Sequence, residues 1–169
     1  MAKVLLIEDD PLVVRMYQKV LSFEGFEIEV AADGREGLKK AETLKPDLIF
    51  CDIMMPKMNG IEVLDRLKAN PDTQAIPVIM LTNLSGTRDA EIAISKGAFA
   101  YMVKSEYRPK EVAAYAKEFI QSKSAGTTPS KDKDTSAPSQ STTPDPAAST
   151  ATGMPSTAGV VPEKVGDKA

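Results

Sequence analysis

Histidine is absent from this 169-residue chain, and with it go Ser-His-Asp and Cys-His pairs, imidazole metal ligands and any phosphohistidine on the chain itself. A metal ion here must therefore be a hard one held by oxygens. The single cysteine cannot form an intramolecular disulfide, which fits a reducing compartment. No apolar run approaches the roughly 20 residues that span a bilayer, and charges come too early in MAKVLLIEDD for a signal peptide. The formal net charge of -3 supplies no basic footprint for nucleic acid. These absences predict a cytoplasmic protein that works without membrane or direct nucleic-acid contact.

Aromatic residues are few and unevenly spread. Tryptophan is missing, and the five Phe and four Tyr all lie between Tyr17 and Phe119. Beyond Gln121 the chain turns to Ser, Thr, Pro, Ala and Gly, with six prolines, and its five Lys are matched by five acids. So little apolar surface cannot offset about 1–2 kcal/mol of backbone ordering per residue. The expected organisation is one domain over 1–121 and a disordered tail over 122–169.

Within the domain, apolar runs alternate with amphipathic stretches. Lys3 to Ile7 reads as a strand buried on both faces that ends abruptly in Glu8, Asp9 and Asp10. Asp10 and Pro11 suit the N-cap and first position of a helix whose stripe is Val13, Met16, Tyr17, Val20 and Leu21, stopped by Gly25. Further strands are expected at 26–31, 47–51, 76–81 and 100–103. Helices are expected after Asp33-Gly34, after Asn59, over 87–96 and over 109–121, the last with a stripe of Val112, Tyr115, Ala116, Phe119 and Ile120. This five-fold alternation implies an α/β fold with a doubly wound, five-stranded parallel sheet and helices on both faces. Function is then expected at the C-terminal edge of the strands.

Reactive groups gather at that edge: Glu8 and Asp9 after the first strand, Asp52 after the third, Thr82 after the fourth and Lys104 after the fifth. Three carboxylates in one shallow cleft repel unless a cation intervenes, and an all-oxygen set points to Mg²⁺ or Mn²⁺. A divalent ion plus the Lys104 ammonium balances the three charges. The arrangement can then receive a phosphoryl group, with a carboxylate as nucleophile and the cations on the phosphoryl oxygens.

The segments IEDDP, DIMMPKMNG, MLTN and YMVKS, with 30 positions from Asp52 to Thr82 and 52 from Asp52 to Lys104, resemble the response-regulator receiver domain of two-component signalling. The resemblance covers about residues 2–121 and implies a flavodoxin-like strand order of 2-1-3-4-5. It further implies that Asp52 is the phosphoacceptor. Asp9, Asp52 and the Met54 backbone carbonyl would ligate Mg²⁺, with Glu8 assisting through a water. Thr82 would bind a phosphoryl oxygen, Lys104 would pair with the same group, and Tyr101 would move from exposed to buried. The partners implied are a sensor histidine kinase or histidine phosphotransfer protein, and a downstream protein docking on the face of the fourth helix, fifth strand and fifth helix. With no effector sequence after residue 121, the chain resembles a stand-alone receiver that catalyses only its own phosphorylation and dephosphorylation.

The chain also departs from the family pattern. Ser105 follows Lys104 where the family usually has proline, and Asn83 stands beside Thr82 where a smaller residue is commoner, narrowing access for the phosphodonor. Cys51 reads as a small buried strand residue, and Met54, Met55 and Met58 as loop packing. Three other readings compete. A phosphorylation-independent docking module draws on Ser105 and Asn83 alone. An Mg²⁺-dependent aspartyl phosphohydrolase needs an acid/base two positions after the nucleophile, and Met54 cannot move protons. A flavin-binding module needs a phosphate loop where Glu8, Asp9 and Asp10 would repel the cofactor. The apolar side chain of Met54 predicts slow self-dephosphorylation, so Met54→Asn should shorten the lifetime of the phosphorylated protein followed by intact mass. An unchanged lifetime would remove Met54 from the account.

Overall fold

The computed structural model describes residues 1–124. Its elements are β1 (Lys3–Ile7), α1 (Pro11–Phe23), β2 (Glu27–Ala31), α2 (Gly34–Leu44), β3 (Leu48–Cys51), α3 (Gly60–Ala69), β4 (Val78–Thr82), α4 (Thr87–Ser95), β5 (Ala100–Val103) and α5 (Pro109–Ser124). All strand pairs are parallel and the order is β2-β1-β3-β4-β5, the flavodoxin-like arrangement expected from the sequence.

The local chemistry explains where the helices begin. Asp10 Oδ1 accepts from the Leu12 and Val13 amides at 2.8 and 3.4 Å, and Pro11 fills the first turn, where its missing N–H is no loss. Asp33 Oδ1 caps α2 through the Glu36 amide at 2.9 Å, while Glu36 reaches back to the Ala32 amide at 2.9 Å. Asn59 caps α3 through the Glu62 amide at 2.9 Å.

Side-chain alternation along the strands divides the core in two. Leu5, Ile7, Ile49, Cys51, Val78 and Met80 pack with residues of α2, α3 and α4 on one face of the sheet. Leu6, Phe50, Leu81 and Met102 pack with residues of α1 and α5 on the other.

Several expectations shift on contact with the structure. The fourth strand starts at Val78 and includes Thr82, because the Ile76 amide closes a turn on the Thr73 carbonyl and Pro77 has no N–H for a ladder. Helix α5 runs on to Ser124, its serines turned back on the helix: Ser122 Oγ donates to the Phe119 carbonyl at 2.7 Å and Ser124 Oγ to that of Ile120 at 3.0 Å. The rest of the expected tail lies outside the described residues. Met16 and Tyr115 are exposed at the margins of their stripes, and Met54 is 61 % exposed while Met55 and Met58 are buried.

Lys45 caps α2 in the left-handed region, at φ 46° and ψ 60°. A residue with a Cβ pays strain there that glycine avoids. Lys45→Gly should raise unfolding stability by about 0.5–1 kcal/mol, read as a higher urea midpoint at unchanged slope.

Candidate functional site

Backbone hydrogen bonds continue past the strand ends and fix the residues there. The Glu8 amide donates to the Ala31 carbonyl at 3.0 Å, the Asp52 amide to Ile7 at 3.0 Å and the Lys104 amide to Thr82 at 2.7 Å. Glu8, Asp52 and Lys104 each stand two residues after Leu6, Phe50 and Met102. Period-two alternation therefore brings all three out on the α1–α5 face.

There the Lys104 ammonium bridges two acids, at 2.5 Å from Glu8 Oε2 and 2.9 Å from Asp52 Oδ2. The side chains of Lys104, Glu8 and Asp52 are only 9 %, 2 % and 7 % exposed. The remaining carboxylate oxygens meet backbone donors: the Met54 amide reaches Asp52 Oδ1 at 3.1 Å and the Asp10 amide reaches Glu8 Oε1 at 3.3 Å. Burial raises the Glu8 pKa above its ordinary value, against the opposing pull of Lys104. Burial alone would lower Lys104, but its hydrogen bonds to Glu8 and Asp52 prevail and hold the ammonium above its ordinary value.

Asp9 is exposed, yet one carboxylate oxygen from each of Glu8, Asp9 and Asp52 can be chosen so that the three lie within 4.8 Å of one another. Three hard oxygens at that separation suit a small divalent cation such as Mg²⁺ or Mn²⁺. Helix α3 starts hard against this loop: the Gly60 amide donates to the Ile53 carbonyl at 3.0 Å, and a Cβ on Gly60 would stand 2.1 Å from the Asp52 carbonyl oxygen. Only glycine admits this approach without moving Asp52.

Thr82 is buried but lies on the other face, two residues beyond Met80. Its Oγ1 accepts from the Leu84 amide at 3.3 Å, and the Leu84 carbonyl accepts from the Tyr101 hydroxyl at 2.8 Å. Tyr101 is partly buried against the α2–α4 core. Asn83 is exposed, and so is Ser105, in a turn closed by the Glu106 amide on the Val103 carbonyl at 2.9 Å. The structure thus gathers Glu8, Asp9, Asp52, Met54 and Lys104 in one cluster, with Thr82 and Tyr101 joined to each other through Leu84. Burial pushes the Cys51 thiol up, leaving no reactive thiolate beside Asp52. Sequence reasoning reads Gly60 as serving backbone geometry after the third strand, and the Asn59-Gly60 pair was the signal for its close approach to Asp52.

The family profile of the response regulator receiver domain matches residues 4–116. The alkaline phosphatase synthesis transcriptional regulatory protein PhoP of Bacillus subtilis is 39 % identical over 118 residues, covering 70 % of this chain and 48 % of PhoP. The chain thus spans about half the length of that relative, whose name carries transcriptional regulation. The expectation of a stand-alone protein without nucleic-acid contact draws no support from it. A CheY-like receiver domain protein from Methanospirillum hungatei superposes with a TM-score of 0.68 at 28 % identity, covering 75 % of this chain and 98 % of that one. The phosphorylated cyanobacterial phytochrome response regulator RcpA gives 0.64 at 27 %, covering 72 % and 95 %. No helix among the described residues is long and apolar enough to cross a membrane.

The raised pKa of Glu8 sets a pH dependence. Above pH 4.5 the folded protein holds the Glu8 proton more tightly than the unfolded chain does, so stability declines as pH rises through the folded value. In metal-free urea titrations, wild type should lose stability relative to Glu8→Gln as pH climbs from 4.5 through the folded value. The gap should then stay constant at higher pH.

Proposed function

The chain belongs to the response regulator receiver domain family, and from that premise we propose that Asp52 accepts a phosphoryl group from a partner's phosphohistidine and thereby alters the domain's partner-binding face. The observation that carries this reading is the Asp52 carboxylate, held 2.9 Å from the Lys104 ammonium within a cluster of three acids.

In the transfer, an Asp52 carboxylate oxygen forms a bond to phosphorus as the donor's P–N bond breaks, and the donor imidazole keeps the electron pair and takes a proton from solvent. Glu8, Asp9, Asp52 and the Met54 carbonyl are the groups that would hold Mg²⁺, which when bound neutralises charge on the phosphoryl oxygens and so favours attack by an anion. Lys104 supplies the second cation from a fixed, nearly buried position, where its charge is poorly screened. The backbone amide of Met54 orients the acceptor through Asp52 Oδ1. No general base is required, because attack by a carboxylate oxygen has no proton to remove from the nucleophile.

A phosphoryl group brings about -1.5 to -2 charge and strong acceptor oxygens to this edge. The Thr82 hydroxyl can donate to it while the Leu84 amide still donates to Thr82. Any displacement of that loop reaches Tyr101 through the Leu84 carbonyl. Tyr101 lies on β5, between α4 and α5, where exposed Ile94 and Tyr115 offer apolar contacts to a downstream protein. Asn83 stands at the mouth of the same loop and limits access to the acceptor. Chemistry that draws on a kinase's phosphohistidine belongs in the cytoplasm. The chain acts there as a phosphoacceptor that catalyses only its own modification.

Intact-protein mass after incubation with acetyl phosphate and Mg²⁺ tests this. One phosphoryl adduct is expected in wild type, and none in Asp52→Ala or with the metal chelated. An adduct that survives in Asp52→Ala would move the acceptor elsewhere. No adduct, together with no spectral response to beryllofluoride, would leave a phosphorylation-independent docking module.

A further inference from the structure

The exposed residues within two positions of Glu8, Asp52, Thr82 or Lys104 are Asp9, Asp10, Met54, Asn83, Ser105 and Glu106. Among the described residues, Met54 is the one apolar member of this rim. Its backbone is held in place: the Met54 amide donates to Asp52 Oδ1 at 3.1 Å, and Ile53 and Met55 on either side are buried. The side chain is left in solvent at 61 % exposure, two positions from a carboxylate that is itself only 7 % exposed.

A thioether in that position is open to peroxide, whereas the other sulfur atoms near the site are not. Met55, Met58, Met80 and Met102 are buried, and burial keeps the Cys51 thiol protonated. In the reaction the Met54 sulfur takes one oxygen from hydrogen peroxide and loses two electrons, the O–O bond is reduced, and water leaves. The thioether sulfur accepts hydrogen bonds only weakly, and the sulfoxide oxygen accepts them well. Because the side chain is exposed, the new oxygen stays in water and the fold has no buried polar atom to satisfy.

Resting on the reading of Asp52 as acceptor, the altered rim acts on hydrolysis of the acyl phosphate. In that step a water oxygen bonds to phosphorus, the bond from phosphorus to the Asp52 oxygen breaks, and inorganic phosphate leaves as a proton passes to solvent. A thioether gives the incoming water no firm partner, whereas a sulfoxide accepts one of its protons and holds it at the rim. We propose that Met54 is an oxidation site whose sulfoxide shortens the life of the phosphorylated state, so that peroxide resets the domain.

The test treats the full chain with hydrogen peroxide, removes the oxidant, and labels the protein with acetyl phosphate and Mg²⁺. Intact mass follows decay of the adduct, and peptide masses locate the added oxygen. In wild type, Met54 should be oxidised before the buried methionines, and the adduct lifetime should fall about fivefold, the scale of one added hydrogen bond to the attacking water. Methionine sulfoxide reductases should restore it. Each variant is compared with itself before treatment, which cancels any effect of the substitution. Peroxide should leave the lifetime of Met54→Leu unchanged, and Met16→Leu, which removes another exposed methionine, should keep the wild-type drop.

An unchanged or longer lifetime with Met54 oxidised would overturn the proposal and leave the acceptor reading intact. So would resistance of Met54 to peroxide, failure of the oxidised protein to take up the phosphoryl group, or an equal drop in Met54→Leu, which would move the effect to another methionine. If untreated wild type forms no adduct, the acceptor reading falls and the proposal falls with it.

Discussion

Like charges at one edge of a sheet must be neutralised before any chemistry can be built on them, and here the Lys104 ammonium does this for Glu8 and Asp52 at once. All three side chains are nearly buried, so water screens their interaction weakly and each depends on the others. Removing the ammonium would strand two carboxylates in a low-dielectric edge, a far larger penalty than loss of a surface ion pair. The arrangement tolerates little slack. Backbone hydrogen bonds just past three strand ends set its spacing, and the close approach of Gly60 fixes the carbonyl behind Asp52.

The two faces of the sheet divide the work. Alternation sends Glu8, Asp52 and Lys104 toward α1 and α5, and Thr82 and Tyr101 toward α3 and α4. Charge is therefore gathered on one side, while the other carries uncharged hydrogen bonds. The Thr82–Leu84–Tyr101 chain of hydrogen bonds joins the end of β4 to the edge strand β5.

Much of this was legible in the chain itself. Buried parallel strands write themselves as apolar runs such as Val4 to Ile7, and their abrupt ends announced Glu8, Asp52 and Lys104. Asp10, Asp33 and Asn59 marked helix starts because a short polar side chain there satisfies amides that the helix leaves open. Helical periodicity gives the direction of a buried face but not its width, so Met16 and Tyr115, at the margins of their stripes, lie exposed. Exposure of Met54 depends on how the loop crosses the edge, which no local pattern records. Tyr17 fitted an apolar stripe, and it is buried in the same core cluster as Leu6, Phe50 and Met102. The left-handed backbone of Lys45 and Lys57 was equally silent, since lysine carries no preference for it.

Strand β1 pairs with β2 on one side and β3 on the other, so the first strand of the chain lies inside the sheet. Its five residues also carry the chain from one edge of the sheet to the other, about 16 Å at 3.3 Å per residue. The α-amino group therefore enters at the rim opposite the acids. A fusion partner or surface tether attached at Met1 would present the domain with its reactive edge facing outward, whereas trimming even a few residues from that end would unpair two neighbouring strands together.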